Sequence, residues 1–184
     1  MDFAHSYDDP LVHRNLAAHY PRAVSASGMW ITDSDGREYL DACGGAAVSC
    51  LGHGHPAVLR AMASQLSQFD YVHSSFFTSD AAQSLAACLV SRAPEGLAHA
   101  IIHSGGSEAV EAAMKLARQY FVEKGEERTT YLSRRHSYHG NTLGALSLSG
   151  NVSRRRPYEA ILGTPVRFVS ACHEYRGRHD DESP

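Results

Sequence analysis

The chain has 184 residues, 43% of them hydrophobic and 20% charged, which suits one substantial core or one domain plus part of another. A net charge of −3 excludes a general nucleic-acid binder, and no apolar run approaches the length needed to span a membrane. The four cysteines (Cys43, Cys50, Cys88, Cys172) form no CxxC pair and Met1-Asp2-Phe3 lacks the features of a signal peptide, so free thiols in a cytoplasmic protein are expected.

Residues 1–27 are mixed and polar, are broken by Pro21, and read as a lead-in segment. Gly28–Thr32, the turn Asp33–Gly36 and Arg37–Asp41 predict strand, turn and strand, with Trp30 and Tyr39 available for the buried side. Cys43–Ser49 is a run of small residues that lets a backbone or a ligand come close. Leu51-Gly-His-Gly-His-Pro56 is a turn, with Pro56 near the first helical position. The spacing predicts a helix from about Ala57 to Gln68, with Val58, Leu59, Met62 and Leu66 on one side. Phe69–Phe77 is aromatic without a period and reads as a packed or interface loop. Thr78 or Ser79 caps a helix over Asp80–Arg92, with Ala82, Leu85 and Leu89 inward, and Pro94 and Gly96 end it.

Ile101-Ile102-His103 then predicts a short buried strand, Ser104–Ser107 a tight turn, and the residues through Phe121 a helix. The apolar positions Val110, Ala113, Met114, Ala117, Tyr120 and Phe121 recur at helical spacing and predict a buried face. Gly105 and Gly106 leave the turn open to a ligand, and Ser107 adds a hydroxyl beside the unpaired N–H groups of the first turn. Such a terminus seats an anion such as phosphate, although an ordinary capped turn has the same appearance. The pattern is neither GxGxxG nor a Walker loop. Thr129–Ser133 and Val166–Ser170 predict strands, Arg134–Thr142 a polar loop, and Leu143–Leu148 an apolar segment of either type. Alternating strands and helices from residue 99 onward indicate a mostly parallel α/β sheet, whose ligands bind beyond the carboxyl ends of the strands. That rule brings Ser104–Ser107 and Arg134–Thr142 to one rim, where Tyr138 offers an aromatic ring beside a phosphate seat. Taken alone, Tyr138 reads as a partly buried tyrosine with its hydroxyl satisfied.

Twelve histidines raise the question of a metal, and His53-x-His55 and His136-x-x-His139 are the closest pairs. Neither gains a Cys or a carboxylate at zinc-like spacing, and no metal site is expected. Arg154-Arg155-Arg156 reads as a solvated basic face.

Three ordered motifs together carry a family resemblance, from about Gly28 to Tyr175. Gly36-Arg-Glu-Tyr-Leu-Asp41 with Gly44-Gly45 and Leu51–Pro56 is similar to the opening of class III pyridoxal-phosphate-dependent aminotransferases. Ser104–Arg118 resembles that family's phosphate-loop helix, and Ser137-Tyr-His-Gly-Asn-Thr142 its cofactor-stacking loop. The resemblance implies pyridoxal 5'-phosphate as cofactor and a partial fold-type-I architecture. Residues 1–50 would form the N-terminal segment and hairpin of the small domain, and 51–184 the first half of the α/β cofactor domain. It implies that Gly106 and Ser107 hold the phosphate with Gly105 beside them. Tyr138 would stack on the pyridine ring, with His139 supporting that side. Ala47 and Val48 would line the substrate pocket, and Phe76 and Phe77 would lie near its entrance, where a partner subunit of a homodimer contributes.

The family's Schiff-base lysine and its pyridinium-binding aspartate lie downstream of the Tyr-His-Gly loop, beyond Pro184. Only Lys115 and Lys124 are present. Lys115 lies about 12 Å along the helix from Ser107, at 1.5 Å per residue, too far to bridge to the cofactor, and Lys124 is farther. No catalytic residue is therefore expected within these residues. The expected function is the N-terminal portion of an enzyme moving an amino group from an amine or ω-amino acid to a keto-acid acceptor. A same-fold aminomutase, racemase or decarboxylase, a non-catalytic assembly partner and a generic phosphate-ligand domain are the alternatives. An isolated half-sheet would expose apolar surface and an unpaired edge.

Overall fold

The computed structural model describes residues 10–177. The chain divides into two compact units, one ending at Phe77 and one beginning at Thr78. Each is built around its own elements.

The first unit begins with a three-stranded antiparallel sheet, β1 (Ala23–Ser27), β2 (Trp30–Asp33) and β3 (Glu38–Leu40). The β2–β3 hairpin follows the sequence expectation, whereas β1 lies in what reads as a lead-in. Its residues Ala-Val-Ser-Ala-Ser are mostly small, all exposed and without strict apolar–polar alternation, so hydrophobic patterning gives no signal there. What makes it a strand is pairing: Ser27 lies opposite Trp30 across a Gly28-Met29 turn, with Gly28 at φ 55.

Asp33 organises the second turn. Its Oδ1 accepts the Asp35 and Arg37 N–H groups, each at 2.9 Å, and its Oδ2 accepts the Tyr39 hydroxyl at 2.7 Å. The expectation that Trp30 and Tyr39 share a buried side is corrected. Trp30 lies opposite Leu40 and Ile31 opposite Tyr39, so the two rings occupy opposite faces, and both are exposed.

Beyond β3, α1 (Gly44–Ala47) is a single turn wound in the left-handed sense, with φ of 54, 63, 62 and 67 in order. Two alanines in that region cost roughly 1–2 kcal/mol each, which glycine avoids. Helix α2 (Pro56–Leu66) begins at the proline, as expected from its fixed φ.

In the second unit α3 (Asp80–Val90) is capped by Ser79, whose Oγ accepts the Ala82 N–H at 3.2 Å. Helix α4 (Gly106–Glu123) follows, then β4 (Tyr131–Arg134), α5 (Leu143–Leu148), α6 (Val152–Arg155), a 3-10 turn (Arg156–Ile161), β5 (Val166–Val169) and α7 (Glu174–Gly177). Strands β4 and β5 pair in parallel, Tyr131 opposite Val166 through Arg134 opposite Val169.

The core of this unit sits at α5, the segment whose type the sequence leaves open. Ala145 and Leu146 are the buried hydrophobic residues among those described, flanked by buried Ser147 and Ser149. Helix α5 packs on α4, β4 and α6. The buried hydroxyls are paired: Ser147 Oγ donates to Leu143 O at 2.8 Å and Ser149 Oγ to Ala145 O at 3.0 Å.

Three expectations of burial fail. Ile101-Ile102-His103 forms no strand, and Ile101 is 69% exposed, because no backbone among the described residues pairs with it. Leu59, Met62 and Leu66 on α2, with Leu85 and Leu89 on α3, are exposed. On α4 no residue is fully buried; Val110, Met114 and Phe121 are half-buried, and Tyr120, Ala113 and Ala117 are exposed. An apolar stripe is buried only where another layer covers it, and these stripes lack one.

Candidate active site

The site is assembled where α4 begins. Gly105 is the N-cap in an extended conformation, and the first helical bond runs from Ala109 N–H to Gly105 O at 3.0 Å. The N–H groups of Gly106, Ser107 and Glu108 therefore lack helical acceptors and carry the positive end of an 18-residue helix dipole. The Glu108 carboxylate curls over Gly105, so close that a Cβ on Gly105 would meet it at 2.6 Å. Glu108 is exposed, and an incoming anion would displace it into solvent.

Ser107 joins this helix to the loop after β4. Its Oγ accepts the Asn141 N–H at 2.9 Å, across 34 residues of sequence. The hydroxyl proton is left to donate outward. Gly140 makes the approach possible: at φ +134, a Cβ there would stand 2.7 Å from Ser107 Oγ and 2.8 Å from Ala145 Cβ. One turn further along α4, Glu111 reaches the same loop. Its Oε1 accepts the Gly144 N–H at 2.9 Å and the Ala145 N–H at 3.3 Å, capping the start of α5 with a carboxylate.

The rest of the loop is stapled to residues 149–150. His139 N–H donates to Ser149 Oγ at 3.0 Å, Gly150 N–H to Ser137 O at 3.0 Å, and His136 N–H to Gly150 O at 3.1 Å. His136 is held at φ 63, a conformation that persists in a non-glycine residue only when its surroundings fix it. The reading of Tyr138 as a partly buried ring is corrected: it is 59% exposed, and the Arg154 guanidinium stands 5.1 Å from its centroid. His139 is half-buried beside it.

The structure therefore brings Gly106, Ser107 and the Tyr138–Asn141 loop together, with Gly105 at the cap. Ala47, Val48, Phe76 and Phe77 belong to the first unit. Ala47 closes the left-handed turn, where Val48 N–H donates to Gly44 O at 2.7 Å, and Val48 is exposed. Phe76 and Phe77 are exposed, and both N–H groups donate to His73 O at 3.0 Å. An acid–base pair supports the turn: Asp41 Oδ1 accepts the Gly44 N–H at 2.8 Å, while Oδ2 meets His53 Nε2 at 2.8 Å. His53 first, then the Cys43 thiol and neighbouring N–H groups, hold the Asp41 carboxyl below the usual carboxylate range against the opposing effect of desolvation.

Sequence reading misses Gly140, Asn141, Glu111 and Arg154. A helical signal for Glu111 exists, since it lies four residues beyond Ser107 and shares its face. Among the described residues no group of His, Cys, Asp and Glu is arranged to hold a metal, and no helix is long and apolar enough to cross a membrane.

Residues 13–182 match the family described as Aminotransferase class-III. The chain belongs to the class III aminotransferase family. An uncharacterized aminotransferase of Schizosaccharomyces pombe is 43% identical over 164 residues, covering 89% of this chain and 36% of that relative. The solved structure of an (S)-enantioselective omega-transaminase from Thermomicrobium roseum is 33% identical, with a TM-score of 0.79 over 95% of this chain and 39% of its own. The omega transaminase of Pseudomonas jessenii, solved in complex with PMP, has a TM-score of 0.81 at 24% identity, over 89% of this chain and 36% of its own, and shares the fold. The chain thus spans little more than a third of the curated relative's length.

Within the class III aminotransferase framework the two lysines are plainly placed. Lys115 is exposed on α4. Lys124, at the C-terminal cap of the same helix, pairs with Glu126 at 3.2 Å. At 1.5 Å per residue it lies about 25 Å along the axis from Ser107.

Proposed function

We propose that this chain is the cofactor-anchoring N-terminal part of a pyridoxal-phosphate-dependent aminotransferase that moves an amino group from an amine or ω-amino acid to a keto acid. One observation carries the reading: the Ser107 hydroxyl, fixed by the Asn141 N–H, stands among unpaired N–H groups with the exposed Tyr138 ring on the same loop. The donor set fits a phosphate, and the ring fits an aromatic partner. Gly106 and Ser107 hold the phosphate, with Gly105 beside them at the cap. Tyr138 stacks on the pyridine ring, and His139 steadies its loop through Ser149. When bound, pyridoxal phosphate supplies the electron sink for breaking bonds at the amine carbon.

Within this reading, residues 1–50 form the small-domain segment and 51–184 the first half of the cofactor domain. Ala47 and Val48 line the substrate pocket, and Phe76 and Phe77 border its entrance. The exposed Tyr71, Phe76 and Phe77 suit coverage by a second subunit in a homodimer. Four exposed, unpaired cysteines suit the cytoplasm.

The test is a titration of the full-length protein with pyridoxal phosphate, followed by amino transfer to a keto acid. Ser107→Ala is expected to weaken the cofactor by about tenfold, the loss of one hydrogen bond to a charged group. Unchanged affinity, or an intact protein that never takes up the cofactor, would refute the proposal.

A further inference from the structure

The loop after β4 has a second rim with different chemistry. At the carboxyl ends of β4 and β5 a cleft of about 710 Å³ opens, lined among others by Arg134, Arg135, His136, Cys172, His173 and Arg176. That volume falls within the range of roughly 300–1,000 Å³ typical of small-molecule sites. Its position is where parallel strands present ligands.

The lining is one-sided in charge. Among the described residues it holds three arginines and two histidines and no Asp or Glu. None of the three guanidinium groups has an ion-pair partner among the described residues. Unneutralised like charges on the walls of a concave surface focus a positive potential into it.

The frame of the cleft is fixed. Arg135 N–H donates to Val169 O at 3.0 Å, tying the two strand ends, and Ser137 Oγ donates to Arg134 O at 2.6 Å. His136 keeps its left-handed conformation through the Gly150 bond. On the opposite wall the Arg176 N–H donates to His173 Nδ1 at 3.1 Å, which places the neutral ring's proton on Nε2 and makes that nitrogen a donor. Guanidinium forks match carboxylate and phosphate oxygens in pairs.

We propose that this cleft binds a small oxyanion carrying at least two negative charges, a dicarboxylate or a phosphorylated metabolite, through Arg134, Arg135 and Arg176. It is distinct from the Ser107 seat, which faces Gly140 and Asn141, and it does not depend on the aminotransfer reading. The test is calorimetric titration of the full-length protein at low ionic strength, with succinate and inorganic phosphate in separate runs. Saturable binding of either anion, weakened at least tenfold by Arg135→Gln and by Arg176→Gln and unchanged by Arg60→Gln on α2, supports the site. Sensitivity confined to succinate identifies a dicarboxylate, and sensitivity confined to phosphate identifies a phosphorylated ligand. Failure of both anions to saturate, or equal affinity in the parent and the two cleft variants, overturns it. Should those variants fail to fold, phenylglyoxal labelling of the unaltered protein decides: protection of Arg134, Arg135 and Arg176 but not Arg60 upholds the cleft, and equal labelling with and without anion refutes it.

Discussion

At Gly140 the loop touches the start of α4 with no room for a side chain, since a Cβ would fall within 2.8 Å of both Ser107 Oγ and Ala145 Cβ. Gly140→Ala must therefore lift the loop from Ser107 and release the Asn141 N–H. Cofactor affinity in the full-length protein is expected to fall by about tenfold or more, read by absorbance titration with pyridoxal phosphate. An unchanged affinity would dissociate this contact from the seat. In the first unit, the Tyr39 hydroxyl, the Arg37 and Asp35 N–H groups and the Arg37 charge hold the Asp33 carboxyl below its ordinary range, and Tyr39 is pushed up in return. A depressed carboxylate contributes stability above its unfolded value of about 4, and that contribution is lost as pH falls through the folded value. The raised phenol contributes below about 10 and loses its share as pH rises through the folded value. Tyr39→Phe should thus destabilise the hairpin more at pH 7 than at pH 3, by urea unfolding of the full-length protein at the two pH values. The Asp35-Gly36 turn is readable from its residues. Asp33 as its organiser is not, because three bonds to one carboxylate form only once the hairpin closes.

Among the elements, α5 depends on a residue from another helix. Glu111 supplies the acceptor for two N–H groups at its start, and Thr142, the N-cap, supplies no side-chain bond. Glu111→Ala should cost about 1–2 kcal/mol of stability, the range of a lost cap, and Glu111→Gln less, since an amide oxygen still accepts. Equal losses in the two variants, measured by thermal unfolding, would show that the bond is not what matters. Helices α2, α3 and α4 were legible because their spacing and caps are local: Pro56 opens one, and Ser79 caps another. Strand β1 and the failed strand at Ile101 were not, because a strand exists by virtue of a partner that periodicity does not name.

Taken whole, the chain carries the proposed phosphate seat at Ser107, and neither Lys115 nor Lys124 lies within reach of it. Treated with pyridoxal phosphate and borohydride, the 184-residue chain should show no pyridoxyl group on Lys115 or Lys124 by mass spectrometry. Modification of Lys115 alone would overturn the distance argument along α4. The open stripes of α2 and α3 further predict self-association of the chain by itself, seen in sedimentation, where a monodisperse monomer would contradict it. By itself the sequence determined the local order of turns, caps and helices and the three motifs that mark the family, because each depends on residues within a few positions of one another. Only the tertiary structure decided that Ser107 meets Asn141, that Glu111 caps α5, and that three arginines face one cleft. The first two contacts join residues 33 or more positions apart and the cleft brings Arg176 to Arg134 and Arg135, and proximity at such separations is fixed by packing, which no local pattern records.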